Sequence, residues 1–125
     1  MNTICIKTKK VTKQVELNAS ETASAIWDAL PLEATVNRWG DEIYFSIPLQ
    51  VELAPDARAE VAVGDVAYWP PGQAFCIFWG PTPASTGSEP RAASEVNVFG
   101  KVLDHPEDLG DVQDGDTILI ERAQA

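Results

Sequence analysis

The residues best suited to hold a ligand crowd into one stretch. Gly64 to Pro83 carries five aromatics and four prolines in twenty residues. Tyr68 and Trp69 join a large apolar body to a polar tip, a combination that suits binding surfaces. Pro70 and Pro71 fix the backbone beside them, so a ligand need not order it. Phe75, Ile77 and Trp79 fall on one face of a strand and read as core. The stretch points to binding, not to catalysis.

Groups for acid–base or nucleophilic chemistry are sparse. His105 stands between Asp104 and Pro106. It reads as a turn residue, because the spacing supplies it with no nucleophile or orienting carboxylate. Asp111, Asp114 and Asp116, with Glu107 and Asp108, depart from the ligand spacing of a calcium loop and read as an acidic surface turn. Asp41 and Glu42 are adjacent, so on a strand their side chains point to different sides. Cys5 and Cys76 form neither a disulfide framework nor a zinc pattern and read as small buried apolar residues. No nucleotide-binding glycine pattern occurs. No catalytic residue, metal ligand or cofactor is assigned.

The chain of 125 residues fits one domain, residues 1–125, with enough length for a core of its own. Its net charge of −10 repels phosphate backbones and anionic lipid, so neither nucleic acid nor membrane is an expected partner. Lys7, Lys9, Lys10 and Lys13 suit the exposed side of a hairpin. No apolar run is long enough to span a membrane, and the Thr3-Ile4-Cys5-Ile6-Lys7 start lacks the apolar stretch of a signal peptide. The cysteine usage makes a reducing, cytoplasmic location the expectation.

The elements that must position the aromatic stretch are mostly strands. Thr3 to Thr8 and Thr12 to Leu17 alternate and form a hairpin across Lys9-Lys10. Asn18 opens a helix with Glu21 in capping-box register, Ala23, Ile26, Trp27 and Leu30 make its apolar face, and Pro31 ends it. Strands are then expected at 32–37, 43–47, 51–53, 60–63, 66–69, 74–79, 96–103 and 117–121. The 74–79 run is almost continuously apolar, so both its faces are expected to be covered. Residues 80–95 form one long loop rich in Pro, Ser, Thr and Gly, and a helical turn is expected near 106–109.

Three segments carry a resemblance. Val96-Asn97-Val98-Phe99-Gly100-Lys101-Val102 resembles the Val-Phe-Gly-Lys-Val strand of cyclophilins, the peptidyl-prolyl isomerases. Gly72-Gln73-Ala74-Phe75-Cys76-Ile77 resembles their Gly-Ser-Gln-Phe-Phe-Ile strand. With Asn37-Arg38-Trp39-Gly40-Asp41-Glu42-Ile43-Tyr44-Phe45 and Gly64 to Gly72, these segments make the whole chain similar to the small prokaryotic cyclophilin-like proteins of uncharacterised function. The resemblance implies a mostly β fold: a closed barrel of about eight strands with the helix of the N-terminal half covering an end.

The resemblance does not imply isomerase activity. In cyclophilins an Arg polarises the prolyl amide and lowers a rotation barrier of ~18–20 kcal/mol. Arg38 matches that Arg, but Ser46 stands where its partner Gln would be. Ala74 replaces a second Gln, Cys76 replaces an aromatic pocket wall, and Tyr68-Trp69-Pro70 replaces a Met-Ala-Asn segment. Trp79 and His105 lie in the wrong segments to replace the pocket tryptophan and histidine. The expected function is therefore binding of a peptide or small ligand in a groove near Tyr44, Tyr68, Trp69, Pro70, Gln73 and the 80–95 loop, with Arg38 as the anchor for an anionic group. The alternatives are a weak or divergent prolyl isomerase and a protein-interaction or accessory subunit, with homo-oligomerisation open.

Overall fold

The computed structural model describes residues 2–123. These residues form ten strands: β1 (Thr3–Lys7), β2 (Thr12–Leu17), β3 (Leu32–Thr35), β4 (Asn37–Arg38), β5 (Glu42–Ser46), β6 (Arg58–Glu60), β7 (Asp65–Trp69), β8 (Ala74–Phe78), β9 (Arg91–Val102) and β10 (Thr117–Arg122). A single helix, α1 (Glu21–Ala29), follows β2. Its N-cap is Ser20, whose hydroxyl accepts from the Ala23 N–H, while Asn18 takes the outer position and accepts from Ser20. Ala23 and Ile26 bury its apolar face, and Trp27 is half-buried under the Arg122 guanidinium, 4.5 Å from the ring centroid.

All strand pairs are antiparallel, and the ladder runs β3-β10-β1-β2-β9-β7-β8-β5-β4, with β6 added on β9. This corrects the expected closed eight-stranded barrel: the sheet has ten strands and is open. Its end strands, β3 and β4, are consecutive in the chain, separated by Val36 alone, yet no ladder joins them. The reason lies in where the backbone groups at the seam are spent. Val36 donates to the Asp116 carbonyl and accepts from the Gly115 N–H, while the Arg38 N–H goes to the Asp114 carboxylate. The Val36 bonds continue the β3–β10 pairing past Thr35, and a one-residue link is too short for β4 to fold back on β3, so the chain passes from β10 to β5 with no β3–β4 ladder. The expected strand at 51–53 is also absent: that segment is irregular chain, tied down by side chains.

The strands separate two apolar layers. Ile4, Ile6, Val15, Ile43, Phe45, Val66, Tyr68, Phe75, Ile77, Phe99, Ile118 and Ile120 share the main core with α1. Phe75 stacks on Phe45 at 4.9 Å and meets Phe99 edge-on at 5.1 Å. On the other face Val61, Ala67, Ala74, Cys76, Phe78, Ala92 and Val96 form a smaller cluster. Every residue of β8 is buried, as its apolar run predicts.

Asn97 explains why the Val96 to Val102 segment is polar at one point. It is buried on β9, accepts from the Ala54 N–H at 2.7 Å, and donates to Thr22 Oγ1 and the Glu52 carbonyl. One amide therefore straps the irregular 50s segment and the first turn of α1 to the sheet. Asn97→Ala leaves these partners unpaired, at about 1–3 kcal/mol for each group that stays buried. The expected outcome is a urea midpoint well below wild type with an unchanged m-value; an unchanged midpoint refutes the strap.

Candidate functional site

A pocket opens where the smaller apolar layer is incomplete. It lies between β5, β7, β8 and the first residues of β9, and its cavity is about 90 Å³. Trp39, Tyr44 and Trp69 supply aromatic walls, all of them half-buried. Glu42 and Cys76 form the buried part, and Ala92 and Ala93 of β9 complete the lining.

Strand register dictates this grouping. Glu42 and Tyr44 are two apart on β5, so they share its outer face while Ile43 and Phe45 enter the main core. Tyr44 pairs directly with Cys76 across the β5–β8 ladder. Trp39 is brought over by the β4–β5 turn, in which its N–H donates to the Glu42 carbonyl and Gly40 takes φ 64°. That turn is pressed against the 79–83 segment. A Cβ on Gly40 would lie 2.9 Å from the Thr82 backbone, and one on Gly80 would lie 2.5 Å from the Asp41 carboxylate. The following loop is shorter than expected, because β9 begins at Arg91, and its polar side chains bond it internally. The Thr82 hydroxyl donates to the Arg91 carbonyl, and Glu89 accepts from the Thr86 N–H and the Arg91 guanidinium.

Trp69 is held on both sides. Its indole N–H donates to Ser94 Oγ at 2.7 Å, and its ring lies so close to Gly72 that a Cβ there would come within 2.8 Å. The Pro70–Gly72 turn is a single 3₁₀ turn closed by the Gln73 N–H on the Pro70 carbonyl. The rigid segment predicted from the double proline therefore positions one wall of the pocket.

Glu42 is the chemically unusual residue. It is only 4 % exposed, and among the described residues its Oε1 is a buried side-chain oxygen with no hydrogen-bond partner. Burial pushes its carboxyl up to about 8, with the neighbouring Cys76 thiol pulling slightly the other way. Burial, then the Glu42 charge, push the Cys76 thiol well above its usual range. At neutral pH the pocket therefore holds a protonated carboxyl beside an un-ionised thiol.

The six residues expected to bind divide between different places. Tyr44 and Trp69 line the pocket. Tyr68, one position from Trp69, points to the opposite face; it is fully buried in the main core, donates to the Leu49 carbonyl at 2.6 Å and accepts from the Val51 N–H. Pro70 sits at a separate shallow surface hollow with Leu53 and Ser94. Gln73 is exposed and takes φ 47° after the 3₁₀ turn. Arg38 spends its guanidinium on the carbonyls of Gly40, Gly110 and Val112, on Asp41 at 3.5 Å, and on the Trp79 ring at 4.9 Å. It pins β4 to the 106–112 turn. His105 is exposed between Asp104 and Glu107, at φ 47°.

Sequence reasoning missed Trp39, Glu42, Cys76, Ala92 and Ala93. A signal for Glu42 was present: it is the acidic residue of an otherwise apolar and aromatic strand, two positions from Tyr44. No local signal marked Ala92 and Ala93, which join the site through long-range pairing.

The raised Glu42 carboxyl has a consequence for stability. The folded protein holds this proton up to about pH 8, whereas an unfolded glutamate releases it near ~4.3. The stabilisation linked to the proton is complete below the unfolded value and is lost as pH rises towards about 8. The slope across that window is on the order of 1 kcal/mol per pH unit. Glu42→Gln keeps the shape and removes the proton linkage. Denaturation between pH 5 and 8 is expected to show the wild type losing stability relative to the variant; parallel profiles refute a buried neutral carboxyl.

Comparisons with known proteins agree with the arrangement of strands. A search of curated proteins finds no match. The solution structure of a hypothetical protein from Archaeoglobus fulgidus is 43% identical and superposes with a TM-score of 0.82, over 98% of this chain and 95% of that one. The cyclophilin-like family matches residues 2–121. With nearly the whole chain matched, this protein belongs to the cyclophilin-like family.

Proposed function

We propose that this domain binds a small ligand in the pocket on the outer face of β5 and β8. The observation that carries the reading is the buried Glu42 carboxyl, one oxygen of which has no hydrogen-bond partner, in the lining of a cavity walled by three aromatic side chains. A buried polar group without a partner costs about 1–3 kcal/mol, so a ligand that satisfies it regains that energy. The size of the cavity bounds what enters. At about 90 Å³ it is well below the ~300–1,000 Å³ of sites that swallow a drug-sized molecule. It therefore takes a compact head group or a short side chain, with the remainder of the ligand lying across Ala93 toward solvent.

Nothing in the arrangement favours the isomerase alternative. Arg38 is committed to protein carbonyls, and the Ser46 hydroxyl donates to the Gly72 carbonyl. Family membership supplies the scaffold, and a scaffold does not fix an activity.

The test uses the tryptophans already in the walls. A panel of small neutral and charged organic molecules should include compounds that change tryptophan fluorescence saturably. Ala93 is exposed at the rim, so Ala93→Leu blocks the mouth without disturbing the core. Gly72→Ala pushes the Trp69 ring out of place. Each substitution is expected to weaken binding at least about tenfold, the effect of losing ~1.4 kcal/mol. No saturable change across the panel, or one untouched by Ala93→Leu, refutes the pocket as the site.

A further inference from the structure

We infer that the head group this pocket takes is an organic ammonium, with Glu42 as its counter-ion and Trp39, Tyr44 and Trp69 as its aromatic surround. The inference rests on the reading of this pocket as the binding site and adds the chemical class of ligand.

Three independent observations carry it. The first is the composition of the lining. Aromatic rings attract cations through the negative potential of their faces, and tryptophan does so best. Here two tryptophans and a tyrosine surround one cavity that also contains a carboxyl. No lysine or arginine lines it.

The second is that Glu42 has no countercharge from the protein. Among the described residues it forms no ion pair. The arginines on neighbouring segments are engaged elsewhere: Arg38 on backbone carbonyls and Trp79, and Arg91, next to Ala92, on Glu89 and Glu60. The titratable side chains in the lining beside Glu42 are Cys76 on β8 and Tyr44 on its own strand; of the others on these elements, Asp41 pairs with Arg38, Asp65 on β7 with Lys101, and Arg91 on β9 with Glu60 and Glu89, while Glu95 is exposed. The turn contributes Trp39, β7 contributes Trp69, and β9 contributes only alanines. A bound cation is thus the one source of positive charge that this lining admits. It would supply the countercharge that the protein does not, since a buried carboxylate is tolerable only when paired.

The third is long-range. The chain carries 19 acidic and 9 basic side chains. A net charge of −10 raises the local concentration of cations and repels anionic competitors.

Protonation links the parts. Without a countercharge the carboxyl is neutral at pH 7, because burial holds it at about 8. An ammonium group entering the cavity favours the carboxylate, so binding releases a proton to solvent. Affinity for the cation rises with pH until Glu42 is ionised in the free protein. Each pH unit below about 8 lowers it roughly tenfold.

Choline and 3,3-dimethyl-1-butanol, its uncharged carbon isostere, separate charge from shape. Titrated by tryptophan fluorescence at pH 9, choline is expected to bind at least about tenfold more tightly than the isostere. Between pH 8 and pH 6 its affinity should fall steeply while that of the isostere stays level. Calorimetry in buffers of different ionisation enthalpy should record proton release near pH 7. Glu42→Gln should bring choline down to the level of the isostere. Capped trimethyl-lysine, run in parallel, reports whether the ammonium is preferred free or on a peptide side chain; either preference supports the cation.

Equal binding of choline and the isostere at pH 9, or choline binding retained in Glu42→Gln, overturns the ammonium assignment and leaves the pocket standing. The isostere comparison needs no variant, so a folding defect in Glu42→Gln does not protect the inference. Silence from choline, trimethyl-lysine and the isostere alike overturns the assignment. Silence that extends to the neutral and charged panel removes the pocket as well.

Discussion

The rest of the structure depends on β8 being buried on both faces. A strand of five residues, all shielded from water, has to have something to pack against above and below. Phe75 and Ile77 satisfy one side in the main core. Ala74, Cys76 and Phe78 require a second cover on the other, and it is assembled from Val61, Ala67, Ala92 and Val96. The long β9 strand makes this possible. Its later residues pair with β2 and β7, while its first ones run on past the sheet to carry Ala92 and to pair with β6. The cover runs out beside Cys76, and the pocket is the gap left there. The site is therefore a product of the same constraint that shapes the fold.

That origin explains which parts were legible in the sequence. The strands β1, β2, β5 and β7, the apolar run of β8 and the presence of α1 follow from local pattern and appear within a residue or two of where it puts them, although Ser20 and not Asn18 caps the helix. Closure is not a local property. At Val36 the chain leaves β10 for β5, and the groups that hold it there come from the turn at 114–116, almost eighty residues away. Resemblance supplied the closed barrel, and local pattern had no means of testing it. The strand expected at 51–53 failed for a related reason: its backbone is satisfied by Tyr68 and Asn97 side chains, which no alternation pattern records.

The same division runs through the site. The double proline and its neighbouring aromatics mark a segment that carries one wall of the pocket, but adjacency in sequence is misleading on a strand. Tyr68 and Trp69 are neighbours in the chain and face opposite layers, one holding the irregular segment near Leu49 and the other walling the pocket. Arg38 illustrates a further limit. A charged residue in a recognisable motif is drawn toward function by analogy, yet its guanidinium here binds three carbonyls that lie in two different turns. Its neighbours in the same motif, Trp39 and Glu42, reach the pocket instead.

The relation to the isomerase scaffold then takes a physical form. Cys76, which stands where cyclophilins have an aromatic pocket wall, lies in the floor of this pocket, and Ser46 and Ala74 sit on the same face of the sheet. A polarising arginine needs an amide presented to a free guanidinium, and the guanidinium here is fixed 3.0–3.1 Å from carbonyl oxygens of the 106–112 turn. This face carries instead the Glu42 carboxyl, which burial raises to about 8 against a lowering by the Cys76 thiol. An isolated carboxylate in such a place is costly, and a protonated one leaves an oxygen unpaired; neither state of the empty pocket is fully satisfied. Gly72 and Ser94 hold the Trp69 ring beside that acid, and this is the face on which the proposed ligand would sit.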